Sequence, residues 1–323
     1  MLAIESSSDP SPNPSSPAPS FGGLLSKIFL NEKGLRGGWR LLVYAAFVAG
    51  LGFGGGLVLG HFAPRTRGAT SPAYFFAQEA FSFVVIFAAA LIMSQIEHRS
   101  PSVYGLPSKA AFGKLFWQGW LVGLTEVSAL VGLIAVFGGY SFGSLAVRGT
   151  ELLRYGLLWA VFFVVVGLFE EFLFRGYTLY TLADSIGFWP AAIVLSCLFG
   201  GVHLGNPGEG WVGAAGVVSI GLIFALTLRR TGNLWLAVGW HASFDFGETF
   251  LFSVPNSGIV FQGHLSNASL HGARWLTGGT VGPEGSVFSF VTMGILALAV
   301  HLLFPAKKPQ PETGGAVDSP LVN

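Results

Sequence analysis

Charged side chains are scarce in this 323-residue chain: Asp, Glu, Lys and Arg together make up 10% of it. Soluble domains carry about 25%, so a mainly water-exposed globular surface is excluded. A net charge of +1 gives no electrostatic handle for nucleic acid, and no nucleic-acid partner is expected. There is one cysteine, Cys197, so an intramolecular disulfide cannot form and the redox compartment is unreadable. A Gly-rich phosphate loop, an HExxH zinc helix and a GxSxG elbow are all missing. Internal repeats are missing too. No basic n-region precedes an apolar run at the start, so MLAIESSSDPSPNPSSPAPS reads as a disordered tail rather than a signal peptide.

What is present is apolar bulk. The chain is 52% hydrophobic with a mean hydropathy of +0.63, and it holds 46 Gly and 30 Phe. Small residues let membrane helices approach closely. The pattern predicts an all-α polytopic membrane bundle with about eight transmembrane helices, given that each crossing needs about 20 residues. The spans fall near 40–62, 73–96, 115–138, 154–180, 188–205, 211–229, 233–253 and 286–304. The expected organisation is a Ser/Pro-rich tail over 1–25, a membrane domain over 26–305 and a second tail over 306–323. Lys27, Lys33, Arg36, Arg40, Arg99, Lys109, Lys114, Arg229, Arg230, Lys307 and Lys308 fall on one side of such a bundle. Only Arg65, Arg67, Arg148, Arg154 and Arg274 fall on the other. That bias predicts both termini inside. It also predicts a multi-pass protein of the cell membrane if the source is bacterial. The stretch 97–114 is expected to lie along the inner interface, and the Gly-rich outer loop 254–285 is long enough to cover a cavity mouth.

Against this background, GLFEEFLFRG is unusual. A charge in a membrane span costs about 2.5–3.5 kcal/mol on insertion scales unless it is paired or lines a polar cavity. Glu171 and Arg175 lie about 40° apart on one helical face, in the order that favours an ion pair. Glu170 points about 100° away, and in a low-dielectric site such a carboxylate can serve as a general base toward water. The bland alternative is an ion-paired helix end with Arg175 snorkelling to the interface.

Two further constellations lie downstream, Phe199/His203 in LFGGVH and His241/Asp245 in WHASFD. Imidazole is both a common metal ligand and a general acid/base near neutral pH. Asp245 can hold the His241 tautomer, ligate a metal or share a proton. Glu248 is expected on the same face as His241, about 20° away. A polar stripe facing a water-filled crevice, as in a transporter, explains the same residues without chemistry. Ser243 is about 200° from His241, which argues against a serine triad there. Cys197 sits about 120° from His203, and a buried packing role is expected for it. Glu79 and Glu126 are further intramembrane acids for which the sequence supplies no partner.

Taken in order, EEFLFR at 170–175, FGGVH at 199–203 and HASFD at 241–245 resemble three motifs of the CPBP family. This is the CAAX protease and bacteriocin-processing family, also called Abi, and it includes the type II CAAX prenyl endopeptidases. The resemblance covers about residues 150–252, and HRSPSVYGLP at 98–107 is similar to the family's connection before its core. It implies a membrane-embedded endopeptidase acting on a membrane-associated protein or peptide. It further implies that Glu170, assisted by His203, activates water. His241 and Asp245 would hold the carbonyl oxygen, and Glu171, Arg175 and Phe199 would support the site. A metal, Zn2+ held by Glu170, His203 and His241, is the cofactor the resemblance leaves open. Asp245 stands where the prenyl endopeptidases usually have asparagine. An ionised aspartate would repel an oxyanion, so Asp245 must be protonated, orient His241 or bind a cation. The alternatives are an ion- or proton-relay protein, or a catalytically silent immunity or scaffold member of the same family.

Overall fold

The computed structural model describes residues 29–31, 34–62 and 72–305. The two tails at 1–25 and 306–323 lie outside the described residues, as do Lys27, Lys33, Arg65, Arg67, Lys307 and Lys308. Among the described residues the chain forms nine helices longer than a single turn: α1 Gly37–Phe62, α2 Pro72–Ile96, α3 Lys114–Val136, α4 Gly149–Arg175, α5 Tyr177–Ile186, α6 Phe188–His203, α7 Trp211–Thr231, α8 Trp235–Phe246 and α9 Val287–Leu303. Two small antiparallel pairings accompany them. β1 Leu30–Asn31 pairs with β2 Gly34–Leu35, and β3 Tyr140–Ser141 pairs with β4 Ser269–Leu270.

Five stretches are long and apolar enough to cross a membrane: Gly37–Val58, Phe75–Ile96, Lys114–Val136, Gly149–Ile186 and Trp211–Thr231. Eight were expected. The other three are shorter. α6 has 16 residues, α9 has 17, and α8 has 12 before its geometry changes. The apolar run read as one span over 154–180 is two helices. α4 stops at Arg175, and Gly176 turns the chain at φ −84°, ψ −120° before α5 begins. Large apolar side chains such as Phe53, Leu121, Leu153, Leu198 and Leu302 stand on the outer surface. An apolar surface of this extent has no soluble explanation. With the five long helices it points to a multi-pass integral membrane protein.

α8 is the hub. Every residue from Leu234 to Trp240 is buried, as are Ala242, Ser243 and Asp245. It packs on α3 and α4, and α3 is its closest neighbour. The approach depends on missing side chains. A methyl group on Gly119 or Gly123 of α3 would overlap the carbonyl oxygen of Leu236 or Trp240, and one on Gly239 would overlap the carbonyl of Phe116. Close backbone contact of this kind is what small residues provide between apolar helices.

The segment between α2 and α3, expected along the inner interface, folds into two short 3-10 turns, and Tyr104 is fully buried. It closes an ion-pair network at that end of the bundle. Arg40 grips Glu97 twice, at 3.0 and 2.6 Å, and reaches Asp184 of α5 at 3.2 Å. Tyr177 donates to the same Glu97 at 2.5 Å. The network ties α1, α2 and α5 together beyond the end of α4.

Candidate active site

Glu171 of α4 has no exposed surface. Its Oε1 accepts from Arg175 Nη1 at 3.1 Å, one helical turn on, as the i, i+4 spacing predicts. The same oxygen accepts from His241 Nδ1 at 3.0 Å. A carboxylate paired to arginine can only accept, so the proton on His241 is held at Nδ1 and Nε2 is turned toward the cavity. The imidazole is therefore oriented by Glu171 across 70 residues of sequence rather than by its helix neighbour alone. Arg175 is 1% exposed and lies over the Phe199 ring at 4.3 Å. Its second terminal nitrogen fits a notch that Gly221 of α7 leaves open beside Ser196.

His241 Nε2 faces two carboxylates. Glu170 Oε2 is 3.6 Å away and Asp245 Oδ2 is 3.5 Å away. Phe224 of α7 stacks on the imidazole, with 5.7 Å between centroids and 21° between planes. His203 closes the last turn of α6, where its Nδ1 donates to the Phe199 carbonyl at 2.8 Å. A carbonyl only accepts, so its Nε2 is left with a free lone pair. Phe199 meets the His203 ring edge-on at 4.7 Å and the His241 ring at 6.4 Å. It thus spaces the two imidazoles while its face takes the guanidinium.

Glu170, His203, His241 and Asp245 all line one cavity of about 300 Å³, so the structure brings the four candidate residues together. Phe199 lines it as well, whereas Glu171 and Arg175 lie behind the wall. The segment after α8 supplies the roof: Asn256, Ser257, Ile259 and Phe261 reach the cavity, with Glu284 just before α9. Burial first, and the nearby Asp245 carboxylate second, push Glu284 up to about 7.

Several expectations change here. Glu248 does not share the cavity wall with His241. From Gly247 to Leu251 the helix widens into a π turn, which shifts the 3.6-residue phase used to place it. Glu248 is instead fully buried, with Glu284 as an electrostatic neighbour. Glu126 does have a partner, since its Oε2 accepts from Trp240 Nε1 at 2.6 Å, and both Glu79 and Glu126 line the cavity. Cys197 is exposed rather than buried, on the α6 face that also shows Ile193, Val194 and Leu198. Ser243 points away as expected, donating to the Trp240 carbonyl at 3.1 Å. The roof residues carry no periodic signal. Only the polar, Gly-rich character of 254–285 marked that loop.

Among the described residues, no group of three or more His, Cys, Asp or Glu side chains is arranged to hold a metal ion. The donors offered for zinc are not gathered into one ligand set. His241 Nδ1 is held by Glu171 and its Nε2 is turned to the cavity, but that nitrogen and the lone pair on His203 are not grouped with Glu170 in ligand geometry. As they stand, Glu170, His203 and His241 do not fit a zinc site.

Residues 152–247, just under a third of the chain, match a family model described as type II CAAX prenyl endopeptidase Rce1-like. No curated protein and no solved structure matches the chain.

Proposed function

Since residues 152–247 are an Rce1-like type II CAAX prenyl endopeptidase domain, we propose that this protein is an intramembrane endopeptidase that cleaves a membrane-associated protein or peptide with water activated by Glu170. The observation that carries this is the approach of Glu170 Oε2 to His241 Nε2 at 3.6 Å, in a cavity shared with the free Nε2 of His203. In support of this reading, a carboxylate base stands beside one imidazole, and a second imidazole lines the same cavity. Glu170 takes a proton from water and later returns it to the leaving amine. His203 Nε2 accepts the second hydrogen of that water and aims its oxygen. His241, held by Glu171 and Arg175, turns Nε2 toward Glu170 and Asp245 at the reaction centre. Aromatic walls from Phe162, Phe163, Phe199 and Phe224 restrict bulk water.

The test is cleavage of a membrane-peptide library by the full protein in detergent. Glu170→Gln should lower kcat about 10²–10⁴-fold, the range for loss of a general base. Because the side chains do not form a zinc site, activity should survive chelators. Loss on chelation with recovery on adding zinc would instead assign Glu170, His203 and His241 as ligands. One observation favours a second reading. Glu79, Glu126, Glu170, Asp245 and Glu284 all line the cavity, which suits a proton or cation relay. Flux into proteoliposomes that Glu170→Gln abolishes, without any cleavage, would establish that reading in place of the first.

A further inference from the structure

Peptide hydrolysis moves negative charge onto the carbonyl oxygen, and that oxygen needs donors. The cavity wall is poor in them. Its charged members are carboxyl groups, and residue 245 brings an acceptor to the side of His241. Of the neutral donors near the roof, the Ser257 hydroxyl is spent, and Asn206, only half-buried, has committed one of its two N–H groups. Asn206 donates to the Ser257 carbonyl at 3.0 Å, and the Ser257 hydroxyl donates to Glu284 at 2.9 Å. The indole of Trp240 is spent on Glu126 at 2.6 Å. Gln78 is exposed on α2.

Asn256 differs from all of these. It is 7% exposed and lines the cavity. Its Nδ2 makes one contact with the Asp245 main-chain oxygen at 3.5 Å, the outer limit for a hydrogen bond. A side-chain amide carries two N–H groups, and this contact uses at most one. The backbone of Asn256 is clipped in place. Its N–H donates to Ile259 O at 2.9 Å, and the Ile259 N–H returns to Asn256 O at 2.8 Å. The neighbouring residues are held from three directions: Ser257 by Asn206 and by Glu284, and Gly258 N–H by Val281 O at 2.8 Å. A donor fixed in this way needs no reorganisation as charge develops.

We propose that Asn256 is a catalytic residue whose Nδ2–H donates to the carbonyl oxygen of the scissile bond, supplying the neutral donor that Asp245 does not. This rests on the endopeptidase reading above. As the water oxygen bonds to the carbonyl carbon, its proton passes to Glu170, and the C=O π pair moves onto oxygen, where the Nδ2–H of Asn256 receives it. On collapse the pair returns, the C–N bond breaks, and the Glu170 proton goes to the departing nitrogen.

The experiment compares wild type with Asn256→Gln, Asn256→Asp and Asn256→Ala in the same detergent, with kcat and KM measured separately. A phosphinate peptide serves as a mimic of the tetrahedral intermediate. Asn256→Asp and Asn256→Ala should lower kcat about 10²–10³-fold, leave KM nearly unchanged and weaken the phosphinate in parallel. Asn256→Gln should retain more kcat than Asn256→Asp, because only the former donates. If Asn256→Ala does not fold, the Gln/Asp pair carries the comparison. Equal kcat for that pair, or a loss expressed only in KM, overturns the proposal. If wild type cleaves and Asn256→Asp cleaves as well, only this inference falls. If wild type cleaves nothing beyond what its Glu170→Gln control cleaves, the endopeptidase reading falls and takes the inference with it.

Discussion

Glu171 is a junction in which one carboxylate oxygen serves both Arg175 and His241. Removing the arginine strands a charge that has no exposed surface. Arg175→Leu should therefore destabilise the protein by about 3–5 kcal/mol, the range for breaking a buried pair. The check is the thermal midpoint in detergent beside the expressed yield. An unchanged midpoint with lost cleavage would make Arg175 a substrate contact instead. Half of this junction was legible in the sequence and half was not. Four-residue spacing on one helix gave the Glu171–Arg175 pair. The His241 bond joins two helices 70 residues apart, and no local pattern encodes which helices become neighbours. Asn256 and Glu284 were missed for a related reason. They lie in turns, where there is no period to read, and their role arises only from where the chain returns over α8.

At the scale of elements, α3 and α8 meet through glycine, and this contact sets the depth and rotation of the helix that carries His241. α3 contains an internal control. Gly119 and Gly123 have no room for a methyl group, while Gly132 faces open space. Gly119→Ala and Gly123→Ala should each cost about 1–3 kcal/mol, the usual range for overpacking. Gly132→Ala should be neutral or mildly stabilising, since alanine is the better helix former by about 0.5–1 kcal/mol. Thermal midpoints of the three variants decide this, and equal effects would refute the packing account. Composition announced helices, yet it did not mark where they stop. Hydropathy runs straight through Arg175-Gly176-Tyr177 because apolar residues lie on both sides, so only the backbone shows the break. The π turn at Gly247–Leu251 is likewise invisible to a rule of fixed angular step, which is why Glu248 was assigned to the wrong face.

Across the whole molecule, the roof from Ser253 to Glu284 joins the bundle through carboxyl chemistry. Glu284 titrates at about 7 in the folded protein against an ordinary value of 4.5. The folded state therefore binds more protons than the unfolded state between those values, and stability must fall as pH rises through that window. The thermal midpoint should decline from about pH 5 to about pH 7, and Glu284→Gln should flatten the decline. A slope that survives Glu284→Gln would place its origin elsewhere. The outer surface has a use of its own. Cys197 is the one thiol in the chain, and it stands exposed on α6, six residues before His203. A nitroxide attached there needs no engineered site. Its relative collision rates with oxygen, which concentrates in the acyl chains, and with an aqueous nickel chelate measure how deep α6 sits in a bilayer. At about 1.5 Å of rise per residue, His203 lies about 9 Å farther along the same axis, so one label on the natural protein serves as a ruler for the immersion of the cavity.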